Sequence, residues 1–282
     1  MATRRDSLQQ DEGQRAGPLP HNVAVAGVWD AGGEAYDEIS RGILDSIEHC
    51  VNRLNPRGNE RILDVATGTG WAARRVAARG AEVVGVDISG SELAAARRIS
   101  VGMGLSIDFR VADAEALPFQ DGAFDGVIST CGVMFASRPE AAAAELGRVC
   151  RRRGRITLTT WTPDGNVFGM FRVIRTYAAP PAGDAPPSPF EWGRPARVEE
   201  LLGRDFDLLF ETGVSFYREP DGEAAWQSFS AGYGPVRVLA SKLDQDRREA
   251  FRRDFVTFHE QFRTPLGICV PREYLLIHGV RR

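Results

Sequence analysis

With 282 residues, 43% of them hydrophobic and 26% charged, the chain has the make-up of an ordinary globular domain and enough length to bury a sizeable core, which excludes a low-complexity or wholly disordered protein. A net charge of −3 and a pI near 5.9 argue against a nucleic-acid partner, whose phosphates call for a basic surface. No apolar run approaches the roughly 20 residues of a bilayer span, and the polar opening MATRRDSLQQDEGQRAGPLP has no hydrophobic signal core, so a cytoplasmic protein without membrane insertion is expected.

That opening reads as a disordered leader over residues 1–20, with a single ordered domain over 21–282. Its N-terminal helices occupy 21–58, where Ile39, Ile43, Leu44, Ile47, Val51 and Leu54 recur at helical spacing over 34–54 before Pro56 and Gly58. A core follows over 59–161, in which strands 61–66, 82–87, 106–111, 124–130 and 155–161 alternate with helices 70–79, 90–101 and 138–150. Strands apolar on both faces with short helical connections predict a doubly wound, mostly parallel α/β sheet. The rhythm breaks over 163–195, where AAPPAGDAPPSPFEWGRP is too rich in proline for a core element. A helix over 196–203 and a strand around 207–217 precede a helical stretch 222–263, in which Phe251, Phe255, Phe258 and Phe262 share one face. ICVPREYLLIHGV reads as a final strand, making seven, and the segments at about 163–195 and 222–263 read as a lid built onto one sheet. Cys50, Cys131, Cys150 and Cys269, like the four histidines, show no ligand spacing, so free thiols and no metal are expected.

In such sheets ligands bind beyond the C-terminal strand ends, where strand order reverses. The first strand runs out through Asp64 into Ala66-Thr67-Gly68-Thr69-Gly70, whose glycines let the backbone turn tightly against a ligand. The second ends in Asp87, nineteen residues after Gly68, where a carboxylate can accept both hydroxyls of a ribose. The third is followed by Asp113, placed to accept an adenine amine. Gly68 to Ala73 also fits a dinucleotide fingerprint with Ala in its last slot. Against that reading, Asp64 would repel a pyrophosphate but suit a cofactor bearing an ammonium group, and the Asp113 segment has no part in the fingerprint.

LDVATGTG, VVGVDIS, ADAEALPFQDGAFDGVIST and AAAAELGRVCRRRGRITLTTW together resemble class I S-adenosylmethionine-dependent methyltransferases, especially the ubiquinone/menaquinone-biosynthesis-like group, over about residues 60–161. The resemblance implies S-adenosylmethionine as cofactor, S-adenosylhomocysteine as product and a Rossmann-like fold. It implies that Ala66, Thr67 and Gly68 line the methionine part, with Asp64 beneath its ammonium and Gly70 completing the turn. Asp87 would hold the ribose, Ile88 pack on adenine, Asp113 and Ala114 meet its amine edge, and Thr130 and Cys131 border the methyl group. Trp29 and Tyr36 lie where the family often closes an N-terminal helix over the cofactor. One departure stands out: the family usually has Lys/Arg-Pro-Gly-Gly before the fifth strand, and this chain has Arg151-Arg152-Arg153-Gly154. That turn faces away from the cofactor edge, where a solvated basic cluster affects stability rather than chemistry.

Methyl transfer from a sulfonium releases a neutral leaving group, so alignment in a dry pocket carries the reaction, and a base is needed only if the nucleophile must lose a proton. His259, near the phenylalanine stripe, is the candidate base, although a structural histidine is the commoner outcome at such a place. Tyr36, Asp37, Tyr233 and Glu191 are lesser possibilities, while His278, in the final strand, is expected in the core or at an edge. Trp161, Phe168, Phe171, Trp192, Trp226, Phe229 and Tyr233 all follow the fifth strand and suggest an aromatic-lined pocket for an aromatic, quinone-like or polyketide-like small molecule. The alternatives are a protein of the same fold that binds the cofactor but does other chemistry, and an NAD(P)-dependent oxidoreductase. An RNA or protein methyltransferase is disfavoured by charge and by Ser129-Thr130-Cys131-Gly132 in place of an Asn-Pro-Pro-Tyr-like tetrapeptide. The oligomeric state is not readable from the sequence.

Overall fold

The alternation of apolar runs and helical stretches is realised as a mixed eight-stranded sheet in the computed structural model, which describes residues 17–180 and 187–282. In chain order the elements are α1 (Val23–Asp30), α2 (Tyr36–Arg41), α3 (Leu44–Leu54), β1 (Arg61–Val65), α4 (Trp71–Ala77), β2 (Glu82–Asp87), α5 (Gly90–Gly102), β3 (Asp108–Val111) and β4 (Phe124–Thr130). Then come α6 (Pro139–Val149), β5 (Cys150–Trp161), α7 (Asn166–Tyr177), α8 (Pro195–Leu202), β6 (Phe206–Glu219), α9 (Gly222–Gly232), α10 (Gly234–Lys242), α11 (Gln245–Glu260), β7 (Arg263–Thr264) and β8 (Gly267–Arg281). The sheet order is β3-β2-β1-β4-β5-β8-β6, the expected seven strands, with the two-residue β7 paired to β8. β1 to β5 are parallel and β8 runs antiparallel to both β5 and β6. Strand order reverses between β1 and β4, which opens the crevice at their C-terminal ends.

Adjacent residues of β1 feed opposite faces. Ile62 joins Val83, Phe109 and Ile128 beneath α3, α4 and α5, while Leu63 and Val65 join Val84, Val86 and Val127 beneath α6 and the later helices. All are buried, and covering both faces is what the continuous apolar runs require. At the far end of the sheet β5 starts at Cys150, five residues before the expected Arg155, because Arg151–Gly154 forms a bulge between the pairs Phe124–Cys150 and Gly126–Arg155. The arginines of the bulge are exposed, and Arg151 pairs with Asp125 at 2.6 Å, so the cluster is the solvated feature expected.

Three expectations are corrected. The stretch 163–195 is not without a helix: NVFGMFRVIRTY forms α7, because Pro163 precedes its start and the proline-rich run begins only at Pro180, beyond its end, and Val167, Met170 and Ile174 bury one face. The helix expected over 34–54 is split at Gly42 and Ile43, where a Cβ on Gly42 would stand 3.0 Å from the Tyr217 ring. The stretch 222–263 is three helices plus β7; Asp221 and Asp244 cap α9 and α11 by accepting the N–H of Ala224 and Arg247, and Gly234-Pro235 starts α10. Residues 1–16 of the expected leader and the centre of the proline-rich stretch, 181–186, lie outside the described residues. Residues 17–20 are already part of the packed structure, since Gly17 bridges Ala112 at the end of β3.

β6 and β8 are long. Tyr274, opposite Trp161, is the last residue of β8 to pair with β5 going toward its start, so residues 267–273 overhang; 268–273 pair with β6, and β7 pairs with Gly267 and Ile268. No helix among the described residues is long and apolar enough to cross a membrane.

Candidate functional site

The crevice is built by backbone that leaves β1 in an unusual conformation. Ala66, Gly68 and Gly70 all take positive φ, at 54°, 56° and 85°. The turn is held by Thr67 N–H donating to the Val86 carbonyl at 2.9 Å and by Gly68 N–H donating to Asp87 Oδ2 at 2.8 Å. Arg74, buried on α4, donates to the Thr69 carbonyl and ion-pairs with Asp37, which ties the turn to α2. A Cβ on Gly68 would come within 3.3 Å of Glu92 Oε2 and the Tyr36 ring, so a side chain there would fill the crevice. Gly70 serves differently: its Cβ would meet the Phe109 ring at 2.9 Å, behind the crevice rather than in it.

Asp87, Glu92 and Asp113 line the cavity here with no lysine or arginine among the lining residues, and Asp64 lies just behind them. Asp64 is fully buried; its Oδ2 accepts from Thr67 Oγ1 at 2.6 Å, and its Oδ1 has no partner among the described residues. Burial pushes its pKa up to about 7. Asp87 accepts the N–H of Gly68 and of Ser89, and burial nevertheless raises its pKa. Glu92 has an unpartnered Oε1, and burial together with the charge of Asp87 holds its pKa well above the usual carboxylate range. Sequence reasoning missed Glu92, since Ser89-Gly90-Ser91-Glu92 has capping-box spacing, the ordinary reason for a glutamate there. Ser89 Oγ does accept the Glu92 N–H, but Ser89 N–H donates to Asp87, and the glutamate carboxylate turns into the crevice. A site with this surplus of buried acid favours a ligand that brings positive charge.

Beyond β3, Asp113 accepts the N–H of Leu19 and of Glu115 and an amide proton from Asn22 at 2.8 Å. Asn22 in turn accepts from Ser137 Oγ at 2.6 Å, and His21 meets Glu115 at 2.8 Å. Residues 17–22 are thereby strapped over the β3 end of the crevice. α1 then carries Trp29 edge-on to Tyr36, Phe135 and Tyr233, with ring centroids 6.1, 5.2 and 5.7 Å away. Of the residues expected around a cofactor, Ala66, Thr67, Gly68, Asp87, Ile88, Asp113, Ala114, Thr130, Cys131, Trp29 and Tyr36 line this cavity. Asp64 and Gly70 stand behind its wall.

Tyr36, Ser40, Ile43, Cys131 and Phe135 also line a second, smaller cavity. Cys131 takes φ 53°, and burial pushes its thiol up to about 12, so it is not a nucleophile at neutral pH. Four of the seven flagged aromatics, Trp161, Phe171, Phe229 and Tyr233, line this second cavity, whereas Phe168, Trp192 and Trp226 pack in the core around it. Arg272 also lines it, unforeseen in the sequence reading although Ile268, Val270, Arg272 and Tyr274 alternate inward along β8 with that one charge among them.

His259, the candidate base in the sequence, lines neither cavity. It is fully buried among Phe255, Phe258, Tyr217 and Phe229; its Nδ1 donates to the Phe255 carbonyl at 2.8 Å, and burial lowers its pKa to about 4. Proton transfer to a bound molecule has no route from there. Of the lesser candidates, Asp37 is engaged by Arg74 and Glu191 by Arg194, while Tyr36 and Tyr233 face the second cavity; His278, in β8, meets Thr157 Oγ1 of β5. All four cysteines are free.

Residues 63–158 match a family model described as a methyltransferase domain. An uncharacterised protein of Mycobacterium tuberculosis is 38% identical over 197 residues, 66% of this chain and 72% of its own length. Two proteins named demethylmenaquinone methyltransferase are similar over shorter stretches. That of Thermus thermophilus is 45% identical over 131 residues, covering 45% of this chain and 59% of that protein. That of Beutenbergia cavernae is 30% identical over 171 residues, covering 57% and 68%. Among solved structures, the YcgJ protein of Bacillus subtilis superposes with a TM-score of 0.58 at 18% identity over 84% of this chain and 98% of that one, a likeness of fold.

Proposed function

Because this chain belongs to the class I S-adenosylmethionine-dependent methyltransferases, in the ubiquinone/menaquinone-like group, we propose that it methylates a flat aromatic, quinone-like or polyketide-like small molecule held in the second cavity. The observation that carries the reading is the shared wall: Cys131, Tyr36 and Phe135 border both the acid-rich crevice and the aromatic cavity, so a donor in one meets an acceptor in the other.

S-adenosylmethionine supplies a methyl group on a sulfonium that leaves as a neutral thioether. The chain's own part is to bind, align and keep water out. In this reading Asp64, through its free Oδ1, lies beneath the ammonium group, and Ala66, Thr67 and Gly68 present backbone to the methionine portion. Asp87 and Glu92 take the ribose hydroxyls, since each carboxylate oxygen accepts two hydrogen bonds and the internal donors leave capacity free. Ile88 packs on the adenine, and Asp113 with Ala114 meets its amine edge. Thr130 and Cys131 border the reacting methyl. Trp29, Tyr36 and Phe135 exclude water and turn aromatic faces toward the positive centre. Holding two reactants in line can supply about 7–11 kcal/mol of barrier lowering in the best cases, so no residue need act as a universal base. A pyrophosphate-bearing cofactor would meet Asp87, Glu92 and Asp113 with no lysine or arginine in the lining beside them, which disfavours an oxidoreductase. Calorimetry with S-adenosylmethionine and NAD, followed by a mass-shift screen for products one methyl heavier, tests the proposal. Binding of NAD in preference, or retention of the donor unreacted with every aromatic acceptor tried, would overturn it.

A further inference from the structure

The second cavity contains one charge that no ion pair among the described residues balances. Arg272, in the overhang of β8, is 4% exposed, yet it makes no ion pair or side-chain hydrogen bond among the described residues, and its Nη2 is buried without a partner. Its guanidinium lies 4.0 Å from the centroid of Tyr217 and 5.5 Å from that of Phe229. Those ring contacts compensate only part of the desolvation of a buried cation. Glu219, on the neighbouring strand, accepts instead from Tyr217 and Ser228 hydroxyls. Burial brings Arg272 down to about 10, which leaves it charged at neutral pH. The rest of the lining offers tyrosine, serine and cysteine but no carboxylate or imidazole. An unpaired guanidinium facing a cavity otherwise lined by aromatic, aliphatic and uncharged polar side chains is a binding group awaiting an anion, because a planar fork of donors matches an oxyanion.

Resting on the methyltransferase reading above, we infer that the acceptor carries an anionic oxygen, as an ionised enol, phenol or carboxylate, on its flat apolar body, and that Arg272 pairs with that oxygen. An acceptor ionised before entry leaves its proton in bulk water, which is consistent with a cavity that offers no base. Arg272 is then the specificity-determining residue, selecting charged acceptors over neutral ones of the same shape.

The test is calorimetric titration of the full chain with two matched pairs: 2-hydroxy-1,4-naphthoquinone, an enol ionised at neutral pH, against its methyl ether, and 2-naphthoate against its methyl ester. Each is run with and without S-adenosylhomocysteine, whose own binding is measured first. The wild type is expected to prefer the ionised member of at least one pair by roughly tenfold or more, the scale of a hydrogen bond to a charged group. The pair that discriminates tells enol from carboxylate. Arg272→Met should abolish the preference without weakening S-adenosylhomocysteine binding, and Arg272→Lys should keep part of it. Equal or better binding of the neutral members to the wild type overturns the inference whether or not the variants fold, as does an unchanged preference in Arg272→Met. Failure of S-adenosylhomocysteine to bind would strike the underlying cofactor assignment instead, and the titrations without it would still read the preference.

Discussion

Asp87 is the residue at which the cofactor assignment is most directly measured. Its carboxylate is buried, and each oxygen already receives one backbone N–H, from Gly68 at 2.8 Å and Ser89 at 2.9 Å, leaving a second acceptor site on each. Asp87→Ala removes those free sites, and loss of hydrogen bonds to a charged acceptor is worth about 1.5–3 kcal/mol, so the Kd for S-adenosylmethionine should rise roughly 10- to 150-fold. The same change strands two buried donors at about 1–3 kcal/mol each, partly offset because burial already disfavours the carboxylate. Asp87→Asn separates the two effects: it keeps the shape and one acceptor while turning an amide toward the other donor, and it should lose affinity with less loss of stability than the alanine variant. Calorimetry gives the Kd, and circular dichroism with urea titration confirms that the variants are folded. A folded Asp87→Ala protein that binds S-adenosylmethionine within about a factor of two of wild type would refute the reasoning.

Other outcomes follow from the same geometry. Asp64, with a folded-state pKa of about 7, holds a proton that it would lack unfolded, so its contribution to ligand-free stability is present near pH 4 and lost as pH rises through 7. A cationic ligand draws that proton off, so S-adenosylmethionine should bind more tightly up to about pH 7 and then level, with about one proton released per ligand near pH 6 in buffers of different ionisation enthalpy; no release by the wild type would remove Asp64 from the site. His259 is shifted the other way, to about 4, so its contribution is present above about pH 6.5 and lost as pH falls toward 4, by up to about 3 kcal/mol. His259→Phe should flatten the acid side of the stability profile and leave the shape of the pH–rate profile alone, and an inflection that vanished with it would restore a catalytic role. Gly70→Ala, at φ 85° with its Cβ 2.9 Å from Phe109, should destabilise the fold by about 2–4 kcal/mol in urea unfolding, and a loss under about 0.5 would show that the turn relaxes freely.

What could be read in advance followed from local chemistry. Apolar runs bounded by glycine and acid located every strand from Arg61 to Trp161 within a few residues, apart from the early start of β5, and the same strand ends located the crevice, because ligand position in a doubly wound sheet depends on topology more than on packing. α7 was lost because the proline-rich run from Pro180 coloured the reading of the twelve residues that lie between Pro163 and that run. The break at Gly42 answers to the Tyr217 ring, 175 residues away in sequence, and no local propensity encodes such a contact. His259 and Arg272 show the limit most sharply. Both carry chemistry, and one points into the core while the other faces a cavity, a difference settled by how α11 and β8 pack rather than by their neighbours in the chain.

The overhang of β8 past its last partner in β5 has a lasting consequence. Arg272 and its partner across the ladder, Ser215, sit on ribbon beyond the last pairing with β5, while Asp64, Asp87 and Asp113 sit in or just beyond the parallel strands. On the roles proposed above, the charge that selects the acceptor and the acids that hold the nucleoside lie on separable stretches of polypeptide. Exchange of the ribbon for another of equal length is then expected to change the clientele while the currency stays the same.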